Sequence, residues 1–202
     1  MASAVALITS GALQPGTFSA PDTLPVAAPL DALFPYGGLV RGSIVAVDSL
    51  TVAFALLAAT SAAGGWCAAA GIPDLGLAAA ADAGIDLQRF VVVPTPGEQW
   101  AVAVATLLDG VGLVLARPPA RMKAPDARRL AARTRERRSV LLLNGGTWPE
   151  QVDLRVRLEA SEWTGLSDGY GRLLRRRTDL AASGRRAAAR ERRVTAWLPS
   201  GC

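Results

Sequence analysis

The residues best placed to do chemistry are Asp48, Ser49, Leu50 and Thr51, where an apolar run, Ile44–Val47, gives way to a helical pattern. In α/β proteins this junction, at the carboxyl end of a strand, is where anionic ligands sit. A loop that cradles a nucleoside triphosphate there would read GxxxxGK[ST]. Its backbone N–H groups surround the phosphates, its Lys reaches the terminal ones, and its hydroxyl holds magnesium. The connection Asp48-Ser49-Leu50-Thr51-Val52 has no Gly and no Lys, is too short to wrap a triphosphate, and begins with a negative charge. It is a degenerate phosphate loop. The chain has no His at all, which removes the usual general base and the commonest metal ligand. Its two cysteines, Cys67 and Cys202, are far apart in sequence, so neither a zinc site nor a disulfide framework is indicated. No cofactor or metal is expected.

The second chemical signal is charge. Residues 1–116 hold 2 basic and 8 acidic side chains, a net of −6, and residues 117–202 hold 20 and 9, a net of +11. Arg175, Arg176 and Arg177, then Arg185, Arg186, Arg190, Arg192 and Arg193, surround Ser183-Gly184 as a basic hairpin or a short helix between strands. They are candidates for contact with DNA phosphates or an acidic partner, against the plainer alternative of a solvated loop. Trp148, in a Gly/Pro loop, either stacks on a base or anchors a partner, or else closes a sheet edge. The last is favoured, because large aromatics are mostly buried. Trp163 and Trp197 carry the same alternatives.

The elements that must position these residues alternate. Strands are predicted at Ile44–Val47, Trp66–Ala70, Phe90–Val93, Gly112–Ala116 and Val140–Asn144. Helices fall between them at Val52–Ala63, Leu75–Ala83, Glu98–Leu108 and Ala124–Arg138, with Glu98 as a favourable first-turn charge. That spacing predicts βαβ units and a mostly parallel sheet flanked by helices. From Leu154 to Ala160 apolar and polar residues alternate, a half-exposed strand. Gly171–Arg176 and Arg193–Leu198 read as further strands, giving antiparallel edge strands at the C-terminal end. Residues 1–30 read as a mostly irregular arm, and 31–202 as one domain with a basic C-terminal segment. The 25 uncharged residues between Asp48 and Asp74 are long enough to span a bilayer. They are rich in Ala and Gly and broken at Gly64-Gly65, so a buried helix followed by a buried strand explains them better. The first charged residue is the acidic Asp22 and no basic stretch precedes it, which predicts no signal peptide and a reducing cytoplasm.

Several segments resemble RecA-type recombinases. Leu33–Val47 is similar to the stretch that enters their phosphate loop. Ala83–Trp100, AGIDLQRFVVVPTPGEQW, is similar to the "GVD…NL" turn, strand and "Q-P-D-T-G-E-Q" turn that open a helix, carried here by Pro96-Gly97-Glu98-Gln99. Ala131–Asn144 looks like the helix and strand that end in "FINQ", and Leu154–Glu159 like the strand after the second DNA loop. The resemblance runs over about residues 30–200 and implies a RecA-like fold. Where those ATPases place the acid that positions magnesium, this chain has Ala116-Arg117. Where they place a catalytic Glu, Asp74 is the nearby carboxylate. Arg117 would repel magnesium, so the resemblance implies a protein that does not hydrolyse ATP.

Within that group a short, Arg-rich, ATPase-dead chain is similar to the ImuA′ family of actinobacterial accessory proteins. The likeness implies a nucleoid-associated scaffold in SOS mutagenesis. It would bind an ImuB-like, inactive Y-family polymerase homologue and through it support an error-prone DNA polymerase in translesion synthesis. The alternative is a single-stranded-DNA-binding RecA-like repair protein that uses the Arg-rich C-terminal half.

Overall fold

The computed structural model describes residues 21–167 and 170–198, with the side chains of residues 165–175 outside the description. Ten strands and four α-helices follow one another along it. The short strand β1 (Thr23–Pro25) pairs antiparallel with β2 (Gly38–Val40), and a 3-10 turn, Leu30–Leu33, lies between them. Then come β3 (Ile44–Val47), α1 (Leu50–Ala62), β4 (Cys67–Ala70), α2 (Leu77–Asp82), β5 (Phe90–Val93), α3 (Trp100–Gly110), β6 (Leu113–Ala116), α4 (Ala124–Arg137) and β7 (Val140–Asn144). The chain ends in β8 (Leu154–Ser167), β9 (Tyr170–Gly184) and β10 (Arg192–Leu198).

The main sheet has eight strands in the order β10-β9-β8-β3-β7-β6-β4-β5. Strands β3 to β8 are parallel to their neighbours, while β9 and β10 run antiparallel as a meander at one edge. The fold is the mostly parallel, helix-flanked sheet with antiparallel C-terminal strands that the alternation predicts. β3, β4, β6 and β7 are short aliphatic runs buried on both faces, which is why they lack period-two alternation. Val45, Val47, Cys67, Ala69, Leu113, Leu115, Val140 and Leu142 point to the α1 side, and Ile44, Ala46, Ala68, Ala70, Val114, Leu141 and Leu143 to the α3 and α4 side.

Each helix is patterned for its layer. α1 carries no charge and buries Val52 through Leu57 on all sides, as a helix enclosed between the sheet and the β1–β2 ribbon must. α4 buries Ala127, Leu130, Ala131 and Thr134, one stripe at helical spacing, and turns its arginines outward. Trp100, Val104 and Leu108 do the same for α3.

Three features differ from the sequence expectation. The end of the predicted arm is part of the fold: Leu24 and Leu30 are buried in the α1-side core, while residues 1–20 lie outside the described residues. Glu98 falls in a 3-10 turn, Gly97–Gln99, that precedes α3. β8 and β9 run to 14 and 15 residues, far longer than predicted, so the strand read at Gly171–Arg176 continues through Arg177 to Gly184. A 3-10 turn, Arg186–Ala188, joins β9 to β10, the short helix between strands that is one of the two readings of this segment.

Candidate functional site

The carboxyl edge of the parallel sheet gathers the degenerate loop, Asp74 and Arg117. Ser49 is extended at the N-cap of α1 and its side chain makes no capping bond. Leu50, the first residue of α1, is half-buried against the core, and Thr51 follows it in the helix. None of Asp48–Thr51 takes the left-handed conformation that folds a backbone into an anion nest. Asp48 instead turns to β8: both its carboxylate oxygens accept from the Leu158 N–H at 3.0 Å. Beside it Asn144, at the end of β7, donates from Nδ2 to the Val47 carbonyl at 3.2 Å.

Strand order brings Asp74 and Arg117 together. β4 and β6 are neighbours although β5 intervenes in sequence, so the residues just past their ends share one spot. The Arg117 backbone N–H donates to the Ala70 carbonyl at 3.0 Å, and its guanidinium Nη1 donates to Asp74 Oδ1 at 2.8 Å. The Asp74 carboxyl is held below its ordinary range by its own backbone N–H and then by the Arg117 guanidinium. Trp100 closes the edge from the first turn of α3. Gly71, at φ +73°, has no side chain to obstruct the indole: a Cβ there would lie 2.6 Å from Trp100 Nε1 and 2.8 Å from the Arg117 carbonyl. Asp48 is thus engaged with β8, and Arg117 with Asp74, as two separate pairs along this edge. Among the described residues no group of three or more Cys, Asp or Glu is arranged to hold a metal ion.

Trp148 sits in the crossover from β7 to β8. Parallel strands ordinarily need a crossover of about a dozen residues or more; residues 145–153 make this one in nine. Trp148 packs half-buried against the α3 and α4 side of the core, its indole Nε1 enclosed without a partner among the described residues. It covers a sheet face that has no helix there, and not a sheet edge.

The arginines of the C-terminal half are mostly committed to acids. Arg185 donates to Asp153 Oδ1 at 2.8 Å and to Gln151 at 3.1 Å, while Asp153 Oδ2 accepts from the Ile44 N–H at 2.9 Å. Arg193 pairs with Glu191 and Glu159, and Glu191 also holds Arg157. Arg177 lies 3.7 Å from Asp179. Arg176 donates to Ser161 and stands over the half-exposed Trp163 ring at 5.8 Å. Trp197 is also exposed, on the meander's outer edge. The side chains of Arg186, Arg190 and Arg192 have no hydrogen bond or ion pair among the described residues, and the Arg175 side chain lies outside them. One arginine cluster in sequence is therefore several separate structural ties and three unpaired cations.

A profile of the MT3502 N-terminal domain matches residues 32–150, more than half of the chain. The chain belongs to the MT3502 N-terminal domain family. The family segment starts in the Leu30–Leu33 turn and carries the parallel strands β3 to β7, so the degenerate loop, Asp74, Arg117 and Trp148 all fall inside it, and the β8–β10 meander follows it. The chain is also 40% identical over 94 residues to the uncharacterized protein Rv3395c of Mycobacterium tuberculosis. That alignment takes in 46% of each protein, so the chain spans about half the length of the curated relative it matches. No helix among the described residues is long and apolar enough to cross a membrane.

Proposed function

We propose that this MT3502-family protein is a non-catalytic, ImuA′-like accessory scaffold of a translesion-synthesis complex, nucleoid-associated in the cytoplasm. It binds an ImuB-like inactive polymerase homologue and thereby supports an error-prone DNA polymerase. The observation that carries this reading is the self-pairing of the carboxyl edge. Asp48 occupies the phosphate position and is spent on the Leu158 N–H; Arg117 occupies the magnesium position and is spent on Asp74. An ATP-using site needs those positions open, with a lysine and a carboxylate free for phosphate and magnesium. A mycobacterial relative is in keeping with the actinobacterial range of the ImuA′ family. The arginines already paired with acids, Arg177, Arg185 and Arg193 among them, are not free to follow a phosphate backbone.

The test has two arms. Purified protein is mixed with a purified ImuB-like protein and co-purification is measured; stable capture is expected. In parallel, a thermal-shift scan with millimolar Mg-ATP is expected to show no change, because a ligand at a hundred times its Kd would add about 2.7 kcal/mol to stability. A clear ATP-dependent shift would sink the non-catalytic reading. Absence of capture, together with salt-sensitive retention of single-stranded DNA, would install the DNA-binding alternative.

A further inference from the structure

A recess of about 610 Å³ opens at the opposite end of the sheet, at the amino ends of β3 and β8. Its walls are apolar: Phe34, Leu39, Val45, Leu154 and Ala188, all buried. Its rim is cationic. Arg41, from the β2–β3 turn, Arg135, from the last turn of α4, and Arg185 and Arg186, from the β9–β10 connection, meet there, with Asp153 as the one acid in the lining, a net of +3. Asp153 has both oxygens engaged by Ile44 N–H and Arg185, and Arg41 lies 3.3 Å from Asp22. The side chains of Arg135 and Arg186 have no hydrogen-bond or ion-pair partner among the described residues, and both residues are exposed. Tyr36 stands at the mouth, 48% exposed.

Backbone strain marks the same place. Among the described residues, two that are not glycine take a left-handed conformation, Arg138 at φ 53° and Arg186 at φ 55°. Arg186 lines the recess, while Arg138 is the left-handed C-cap of α4 and is not part of its lining. A side chain there costs about 1–2 kcal/mol that glycine would avoid, and such strain gathers at binding sites. At Arg186 it turns an unpaired guanidinium onto the rim of a recess.

We infer that this recess docks an acidic peptide segment of a partner protein, one apolar side chain on its floor and flanking carboxylates on Arg135 and Arg186. This rests on the reading of the protein as a partner-binding scaffold. Guanidinium forks suit carboxylates, and an apolar centre with a charged rim is the layout of a protein interface. A single-stranded nucleic acid instead calls for an open basic track with successive aromatic faces. Here the cations ring a recess that carries one exposed aromatic.

The probe is a fluorescein-labelled acidic hexapeptide, DELFDE, followed by anisotropy with the full chain. Saturable binding is expected, weakened about tenfold by R135A and about tenfold by R186G, the loss of one charge-assisted hydrogen bond each. Glycine suits the left-handed position, so R186G keeps the fold. R190A removes an unpaired arginine outside the recess and is expected to stay within a factor of two. The inference is overturned if the peptide does not bind, if R190A costs as much as R135A, or if a dT20 oligonucleotide displaces the peptide. A tenfold gain on deleting residues 1–20 would also overturn it, by making the chain's own segment the occupant. Peptide binding and ImuB co-purification are read separately, so either can fail while the other stands.

Discussion

A chain that ends at Asp168 retains the whole family segment and loses β9 and β10. It is the obvious way to ask what the basic C-terminal half does, and it is expected not to fold. The deleted residues place Leu180, Ala181, Ala182, Ala188, Ala196 and Leu198 in the interior, none more than 8% exposed. Two leucines at about 2–3 kcal/mol and four alanine methyls at about 0.8 kcal/mol each come to about 8 kcal/mol. That equals the net stability of an ordinary domain, about 5–15 kcal/mol. It does not yet include the hydrogen-bonded edge of β8 that β9 completes, or the Leu30–Leu33 turn that packs against β10. The assay is urea unfolding followed by circular dichroism, with dye binding to exposed apolar surface. The full chain should unfold cooperatively, and the shortened one should show no cooperative transition and bind dye. A shortened chain with a sharp transition near that of the full chain would refute the assignment of β9 and β10 to the core. The C-terminal arginines are therefore properly tested by point substitution.

Gly71→Ala combines a left-handed φ of 73° with a Cβ against Trp100 and the Arg117 carbonyl. A loss of about 2–4 kcal/mol and a change in tryptophan emission are expected, read by denaturation and fluorescence. Burial pushes the Cys67 thiol up to about 12, so in a C202S background the folded protein should resist alkylation at pH 8 and react once unfolded. The Arg133 guanidinium, followed by that of Arg137, holds the Asp109 carboxyl below its ordinary 3.8. Its contribution to stability is present above that value and is lost as pH falls through the lower folded-state value. D109N should accordingly be the less stable chain at pH 7, and the difference should shrink as pH falls below 3.8; a gap that stays constant with pH would count against the ion pair.

Much of the sheet was legible in the sequence, for a physical reason. Ile44–Val47, Phe90–Val93 and Val140–Asn144 are aliphatic or aromatic runs bounded by turn residues or polar helix ends, and the strands end where those runs do. Trp66 was read into the next strand and lies outside it, half-exposed after the Gly64-Gly65 turn. The hairpin strands were legible in part, at Leu154–Ala160 and Gly171–Arg176, but their full length was not. A bulge between Leu158 and Ala160 breaks the period-two pattern in β8, and Arg175-Arg176-Arg177-Thr178-Asp179 offers no apolar alternation in β9. Its strand state comes from backbone pairing with β8 on one side and β10 on the other. At the site, Asp74 and Arg117 were each visible as replacements, but their pairing depends on β4 lying next to β6, a property of strand order. Arg41, Arg135 and Tyr36 gave no signal, because three separate elements bring them to one recess.

The placement of β10 also governs how the protein yields to force. It is the outermost strand, bonded on one side to β9, and β9 in turn to β8. A pull applied beyond Leu198, as by an unfoldase gripping that end, would peel hydrogen bonds away one pair at a time instead of shearing many together. It would strip β10, then β9, before reaching β3, which is held between β7 and β8. A pull from the other end acts first on the three-residue pairing of β1 with β2, but then meets β3 in the middle of the sheet, where neighbours on both sides must give way together. Resistance should therefore depend on direction, with degradation from the carboxyl side the faster of the two.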